Sequence, residues 1–452
     1  MRPARRSRTA LVLAAGLILG AFLAGAAGGA APTTRVAPVS WSKVSGPTRA
    51  GAQLGLARTA DGTLNVIWNR GTSPTSIFDT RLSSAGKVTG TTTIATGWDG
   101  NEGLDLLVMP DKTLRLFATG GHVPGLGSGD SGVNTLTAPS TGRSWTLAKG
   151  VVWGGAVASA ASEISATLTR DGQVVTGWSG YTHVGLDSSG DSPLQYPDML
   201  VTQLATDQRS GSVVLSGVTI AHKGGTFVRQ ILPRPGRTVI FPSATQNRSS
   251  GIAARIGASG VYVAYADTKS VRLARYGGPT KTLAQGPYDT ADVFTGPQGR
   301  LWIAWGDEND GLFVTRSNRA ADAFEPVQTV KLPANTNGMY SIEGEGSAGA
   351  LDLFADLLVG TTDRGFQRAH ILALFGLQAS VGRRPQKATV APVALSLRDA
   401  GDPVSGAKIT VAGKHLQTDA KGRVTLSLKP GSYSATASAA GYAPASVSFT
   451  VK

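Results

Sequence analysis

The hydrophobic pattern of this chain is a repeat. An apolar run, a turn ending in glycine and an alternating run that closes on an aromatic recur along it. The copies read Asp61-Gly62-Thr-Leu-Asn-Val-Ile-Trp68, Asp111-Lys112-Thr-Leu-Arg-Leu-Phe117, Asp171-Gly172-Gln-Val-Val-Thr-Gly-Trp178, Ser259-Gly260-Val-Tyr-Val-Ala-Tyr265, Gln298-Gly299-Arg-Leu-Trp-Ile-Ala-Trp305 and Ala348-Gly349-Ala-Leu-Asp-Leu-Phe354. Alternation with period two predicts strands, and Asp-Gly between two such runs predicts a tight hairpin, because glycine accepts the positive φ that the turn requires. The closing aromatics lie 49, 61, 87, 40 and 49 residues apart, mostly near the length of a four-stranded propeller blade. The pattern predicts an all-β chain with a six-bladed β-propeller over residues 38–380. The 87-residue gap holds two further apolar runs, Phe227-Val-Arg-Gln-Ile-Leu and Val239-Ile-Phe, which are either an insertion or strands of a seventh blade.

The ends of the array predict its closure. Ser40-Trp41-Ser-Lys-Val-Ser-Gly46 parallels Ser144-Trp145-Thr-Leu-Ala-Lys-Gly150 but precedes any first blade. The last repeat shows a third strand at Ala369-His-Ile-Leu-Ala-Leu-Phe375 and no fourth. Residues 39–46 are therefore expected to complete the last blade, since an open ring leaves strand edges exposed. A polar, proline-containing linker at 381–389 separates the array from residues 390–452, where five short alternating runs predict a small β-sandwich.

Two resemblances follow from particular residues. Ala138-Pro-Ser-Thr-Gly-Arg-Ser-Trp145 matches the Asp-box turn S-x-D-x-G-x-T-W with Ser140 in the Asp position, and Ser317-Asn-Arg-Ala-Ala-Asp-Ala-Phe324 is a more eroded copy. The array thereby resembles the sialidase-like, or BNR-repeat, propellers, in which this turn joins the third and fourth strands of a blade and its Trp fills the gap between blades. The order Asp402-Pro-Val-Ser-Gly-Ala-Lys-Ile-Thr-Val, Thr418-Asp-Ala-Lys-Gly-Arg-Val, Leu428-Lys-Pro-Gly-Ser-Tyr433, Ala440-Gly-Tyr442 resembles the carboxypeptidase regulatory-like (transthyretin-like) sandwich, an accessory module without chemistry of its own.

Composition sets the compartment. Arg2, Arg5, Arg6 and Arg8 precede an uncharged, Leu/Ala/Gly-rich stretch from Thr9 to Ala31, with small residues at Ala24 and Ala26, so residues 1–26 are expected to be a signal peptide and the mature protein secreted, with no stable membrane span. There are no cysteines, which excludes disulfides and thiolate metal sites. The net charge is +14, four of those charges being leader arginines; the remaining basic residues are scattered, which argues against nucleic acid as a partner. An extracellular glycan or protein is the expected partner.

If the glycine turns and the box turns share one face of the propeller, the other loops share the opposite, upper face. There the sequence places Trp98, Asp99, Trp153, His122, Tyr181, His183, Asp187, Tyr196 and Asp307, an acidic and aromatic set suited to sugars, whose C–H faces stack on rings and whose hydroxyls donate to carboxylates. A glycoside hydrolase needs two carboxylates facing each other across a cleft, and Glu102 and Glu163 are the candidates, with Asp99, Asp187 and Glu308 as further ones. Against catalysis, the first strand, Gln53-Leu-Gly-Leu-Ala-Arg58, lacks the Arg-Ile-Pro motif of the sialidases, and no G-x-S-x-G elbow is present. No cofactor is expected; Asp187-Ser-Ser-Gly-Asp191 and Asp307-Glu-Asn-Asp310 offer oxygens to Ca2+, but neither is a full Ca2+ loop. The sequence thus favours a secreted binding or adhesion protein over a glycoside hydrolase.

Overall fold

The computed structural model describes residues 35–452 apart from position 38 and the segments 49–51, 71–74, 99–102, 121–131, 148–152, 155–162, 179–182, 187–193, 196–202, 220–224, 243–249, 308–310 and 387–388. The expected signal peptide lies outside the described residues. Among those described, no helix is long and apolar enough to cross a membrane.

Among the described residues seven sheets, each with four antiparallel strands and two of them with a fifth strand added, succeed one another along the chain, and none closes on itself. They are numbered sheets one to seven by their first strands: Gly55–Arg58, Leu104–Val108, Ile164–Leu168, Gln203–Asp207, Gly251–Ala254, Thr290–Thr295 and Thr336–Glu345. Each first strand packs beside the first strand of the following sheet, and Thr336–Glu345 lies beside Gly55–Arg58, so the seven form a ring around one axis. The expectation of six is corrected by sheet four, whose strands Gln203–Asp207, Ser212–Thr219, Gly225–Leu232 and Val239–Pro242 fill the 87-residue gap. Its hairpin turns at Gly211 with φ 76°, but its second strand, Ser-Val-Val-Leu-Ser-Gly-Val-Thr, carries no closing aromatic. Burial there is supplied by Val213, Val214, Leu215 and Val218, so the aromatic that marked the other copies is dispensable.

The cores lie between neighbouring sheets. Ile67, Ile77 and Trp98 of sheet one meet Leu104, Leu106 and Leu116 of sheet two, and the same arrangement recurs around the ring. Both box turns join third to fourth strands, as the motif predicts. In sheet two the turn between Gly132–Ala138 and Thr146–Leu147 holds Gly142 at φ 63°, and Trp145 Nε1 donates to the Gly142 carbonyl at 3.1 Å while its ring packs on the core between sheets one and two. In sheet six a Ser317–Phe324 bridge closes the corresponding turn.

The N-terminal residues close the ring as expected. Trp41–Lys43 pairs antiparallel with Asp363–Ile371, the third strand of sheet seven, and supplies its fourth strand. Ser45 Oγ then accepts from the Phe366 amide at 2.8 Å, and Trp41 Nε1 donates to the Lys331 carbonyl at 2.7 Å. The seam with sheet one is held by Arg58, which forms ion pairs with Glu345 and Asp352 of sheet seven.

The sandwich consists of two sheets, one built on Ala391–Asp399 and the other on Lys408–Val411 with Gly431–Ser438 and Ala445–Val451. The strand Gly376–Val381, read from sequence as the end of the propeller region, pairs with Ala391–Asp399 and opens the sandwich instead. Its alternation fits either module, which is why the sequence placed it wrongly. The sandwich rests on the turn end of sheets six and seven through a buried cluster of charges. Arg316 Nη2 lies 2.7 Å from Asp399 Oδ2 and 3.1 Å from Glu325 Oε1, and these three side chains are at most 1% exposed. Arg300 Nε is 2.9 Å from the same Asp399 oxygen, Tyr442 Oη donates to it at 2.8 Å, and the Arg319 amide donates to Asp402 at 2.7 Å.

Two outcomes are expected. Deleting residues 35–46 should lower the thermal midpoint of the whole chain and bring on self-association in light scattering, because the edge of sheet seven is uncovered; a monomer with an unchanged midpoint would show that the seam carries no stability. Asp399→Ala should cost about 3–5 kcal/mol in chemical denaturation, since it removes the carboxylate that two buried guanidinium groups share, and should speed proteolytic cleavage near residues 381–389.

Candidate functional site

All seven first strands contribute to one polar cavity of about 180 Å³ on the axis. Sheets two, three, four, six and seven place Asp105, Ser165, Gln203, Asp292 and Glu343 in it, and Gln53 enters from the segment leading into sheet one. Leu56 and Ile252 are the contributions of the first strands of sheets one and five.

The chemistry follows from the ring. First strands stand side by side around the axis without pairing as a ladder, which leaves their inward amides needing acceptors. Short polar side chains supply them. Asp105 Oδ2 accepts from the Ala166 amide of sheet three at 2.6 Å, and its Oδ1 accepts from the Leu106 amide at 2.8 Å. Ser165 Oγ accepts from the Leu204 amide of sheet four at 3.0 Å. Gln53 binds Ile164 twice, donating to its carbonyl at 2.8 Å and accepting from its amide at 3.1 Å. Asp292 Oδ1 accepts from the Val293 amide at 2.6 Å and leans over sheet five, where a Cβ on Gly251 would fall 1.3 Å from it. Only glycine fits at 251.

Burial pushes the Asp105 carboxyl up to about 7 against the pull of its amide donors, and pushes Asp292, which has one such donor, up to about 8. Glu343 is raised well above the usual carboxylate range, by burial first and then by the negative charges of Asp292, Asp105 and Glu163. These groups therefore share few negative charges at neutral pH, and in their protonated forms they donate hydrogen bonds.

Of the residues singled out from sequence, Glu163 adjoins this cluster: it immediately precedes Ile164–Leu168, is half-buried and acts electrostatically on Glu343. Trp98 is fully buried between sheets one and two with Nε1 donating to the Thr119 carbonyl at 2.9 Å, so it is a core residue and presents no ring to a ligand. Asp307 is buried at the end of Leu301–Asp307, opposite Gly311. Trp153 and His183 lie in the strands Trp153–Gly154 and His183–Leu186. Asp99, Glu102, His122, Tyr181, Asp187, Tyr196 and Glu308, together with most of both Ca2+-like loops, lie outside the described residues. Among the described residues no group of three or more His, Asp or Glu is arranged to hold a metal ion. The sequence reading did not single out Asp105, Asp292 or Glu343. The available signal was an acid within an otherwise apolar first strand, at Leu104-Asp105-Leu106, Ala291-Asp292-Val293 and Ile342-Glu343-Gly344.

The raised carboxyls imply a pH dependence. An acid that titrates higher in the folded chain than in the unfolded one contributes stability that is full below about pH 4 and is lost as pH rises through its folded pKa, here about 7 for Asp105 and about 8 for Asp292. Asp292→Asn should flatten that loss: denaturation midpoints of variant and parent should converge at pH 5 and separate at pH 9, with the variant higher. Equal midpoints at pH 9 would mean that Asp292 ionises as readily folded as unfolded.

No curated protein matches the sequence of this chain. Among solved structures it is similar to AofleA from Arthrobotrys oligospora, at 12% identity over 66% of this chain and 90% of that one, with a TM-score of 0.42. It is also similar to the extracellular domain of BT4673 from B. thetaiotaomicron, described as a one-component system, at 11% identity over 92% of this chain and 59% of that one, TM-score 0.43. A protein described as a gluconolactonase gives 13% identity, 75% and 94% coverage and a TM-score of 0.33. By sequence, residues 396–452 match the carboxypeptidase regulatory-like domain family.

Proposed function

We propose that this chain is a secreted, non-catalytic binding protein whose ring of sheets engages an extracellular glycan or protein at the end opposite the sandwich. The observation that carries this reading is the axial cavity. At about 180 Å³ it is smaller than the roughly 300–1,000 Å³ of sites that enclose small-molecule ligands. Two of its carboxyls are engaged by backbone amides: Asp105 by Ala166 of the neighbouring sheet as well as by Leu106, and Asp292 by Val293 of its own strand, so that Asp105 ties two sheets of the ring together. The position of the sandwich supports the same reading. It covers the turn end of sheet six, where Asp399 and Asp402 of the sandwich meet Arg300, Arg316 and the Arg319 amide, and leaves the opposite end to a partner. Trp153 and His183, with Tyr181, Asp187 and Tyr196, are the contact residues in this proposal. The arginine-rich leader and the accessory character of the C-terminal module fit an exported protein. The departures of both box turns from the consensus, and the first strand without Arg-Ile-Pro, fit a sialidase-like ring that does not act as a sialidase.

A second reading, a glycoside hydrolase, draws on one observation: Asp105, Asp292 and Glu343 line a single cavity with raised affinities for protons, as a general acid requires. One experiment separates the two. The mature chain is expected to bind on a glycan array or to an extracellular protein fraction without hydrolysing aryl-glycosides, and Trp153→Ala with His183→Ala should abolish binding while leaving the thermal midpoint unchanged. Turnover that disappears in Asp292→Asn or Glu343→Gln would establish the hydrolase in its place.

A further inference from the structure

A cavity of about 670 Å³ lies where the sandwich meets the turn end of sheet six, far larger than the axial one and within the size range of ligand sites. Its walls come from both modules: Gln298 and Arg319 from the turns of sheet six, and Ser405, Lys408, Ser438 and Tyr442 from the sandwich. No carboxylate is among the residues that line it. The Arg319 and Lys408 side chains are exposed and form no ion pair among the described residues, whereas the buried arginines next to the cavity, Arg300 and Arg316, are matched by Asp399, Asp402 and Glu325. The backbones that carry these two cations are held in place. Arg319 is held to the sandwich by its amide on Asp402, and the Lys408–Val411 strand is paired on both edges, with Lys414–Gln417 and Gly431–Ser438.

From this arrangement we infer that the junction is a second binding site, for an anionic, hydroxyl-rich ligand of oligosaccharide size. Arg319 and Lys408 would take its carboxylate or sulfate groups in charge-assisted hydrogen bonds, which are stronger than neutral ones. The Ser405 and Ser438 hydroxyls and the Gln298 amide offer donors and acceptors for sugar hydroxyls. Pro403, Val404, Ala439 and Ala440 give the cavity apolar wall against which C–H surface can pack. The site is independent of the proposed binding end, since every residue in it belongs to the turn end or the sandwich.

The test is titration calorimetry on the full mature chain with two acidic probes, trigalacturonate and a sulfated trisaccharide, and with the methyl ester of trigalacturonate as the neutral control. Saturable binding of at least one acidic probe is expected, weakening with salt and absent for the ester. The Arg319→Ala/Lys408→Ala double variant should weaken it at least tenfold, about 1.4 kcal/mol, with the thermal midpoint unchanged because neither side chain supports the fold. A matched control, Arg35→Ala/Lys87→Ala, alters a second basic cavity of about 650 Å³ beside sheets one and seven and should leave affinity as in the parent. Failure of both acidic probes to bind, equal binding of the ester, or parental affinity in the Arg319/Lys408 variant would each overturn the assignment. Activity or binding at the opposite end is read separately, through Trp153 and His183, so either site can fail without the other.

Discussion

Everything in the larger module depends on closing a ring. A stack of twisted four-stranded sheets buries one face of each sheet against the next, and such a stack has no natural end: the last sheet exposes a face and the first exposes another. Here the chain meets that constraint by bringing its N-terminal residues back to its last sheet, so that Trp41–Lys43 becomes a fourth strand beside Asp363–Ile371. The seam is thereby moved inside a sheet, between its third and fourth strands, where backbone hydrogen bonds cross it. Arg58 reinforces the junction between first and last sheets by pairing with Glu345 and Asp352, and Asp352 is held below the usual carboxylate range, burial notwithstanding, by His370, Arg368 and Arg58. Since each sheet packs on its neighbours, release of this one strand loosens every interface in turn.

The same geometry explains the acids on the axis. Seven first strands surround the axis in separate sheets, too far apart for their backbones to pair as a ladder. An isolated parallel bridge between Ser250 and Ala291 is the nearest approach to pairing. Asp105 and Ser165 instead reach sideways to the next strand's amides. A carboxylate suits that role because it accepts several hydrogen bonds, but burial taxes its charge, and the compromise is a set of acids that titrate near or above neutrality. Such values elsewhere accompany catalysis. Here the backbone demand of the ring accounts for the placement of Asp105, which accepts from the Ala166 amide of the next sheet.

How much of this was legible beforehand differs by feature. The glycine turns, the box turns, the N-terminal closure and the C-terminal sandwich could be read because each is local: a hairpin needs its glycine and a strand its alternation within a few residues. Sheet four escaped because the search leaned on a closing aromatic, and valines fill the same space at 213, 214 and 218. Trp98 was misread for the opposite reason. A Trp beside Asp and Gly at a strand end looks like a rim residue, yet the interface between sheets one and two takes it whole. The axial acids were hidden because axis and rim are distinguished by a fold's curvature, which no stretch of ten residues records.

The sandwich raises a different question, namely why a module of accessory type is docked through buried charge. Apolar burial would hold it as well at lower cost, since an ion pair taken out of water must recover its desolvation. Two guanidinium groups, from Arg300 and Arg316, face three carboxylates, from Glu325, Asp399 and Asp402, and burial pushes Glu325 upward while Arg316 pulls it down. Tyr442 lies over Arg316, its ring centroid 4.9 Å from the guanidinium, and donates to Asp399. What such a cluster supplies that an apolar patch does not is a single orientation: planar guanidinium groups accept carboxylates only in their own plane. A fixed orientation matters little for a spacer. It matters for a module that forms one wall of a cavity, since the module's orientation sets where Lys408 stands relative to Arg319. The charged dock and the cationic cavity beside it are thus better understood as one device, in which the cost of burying charge secures the geometry of a site.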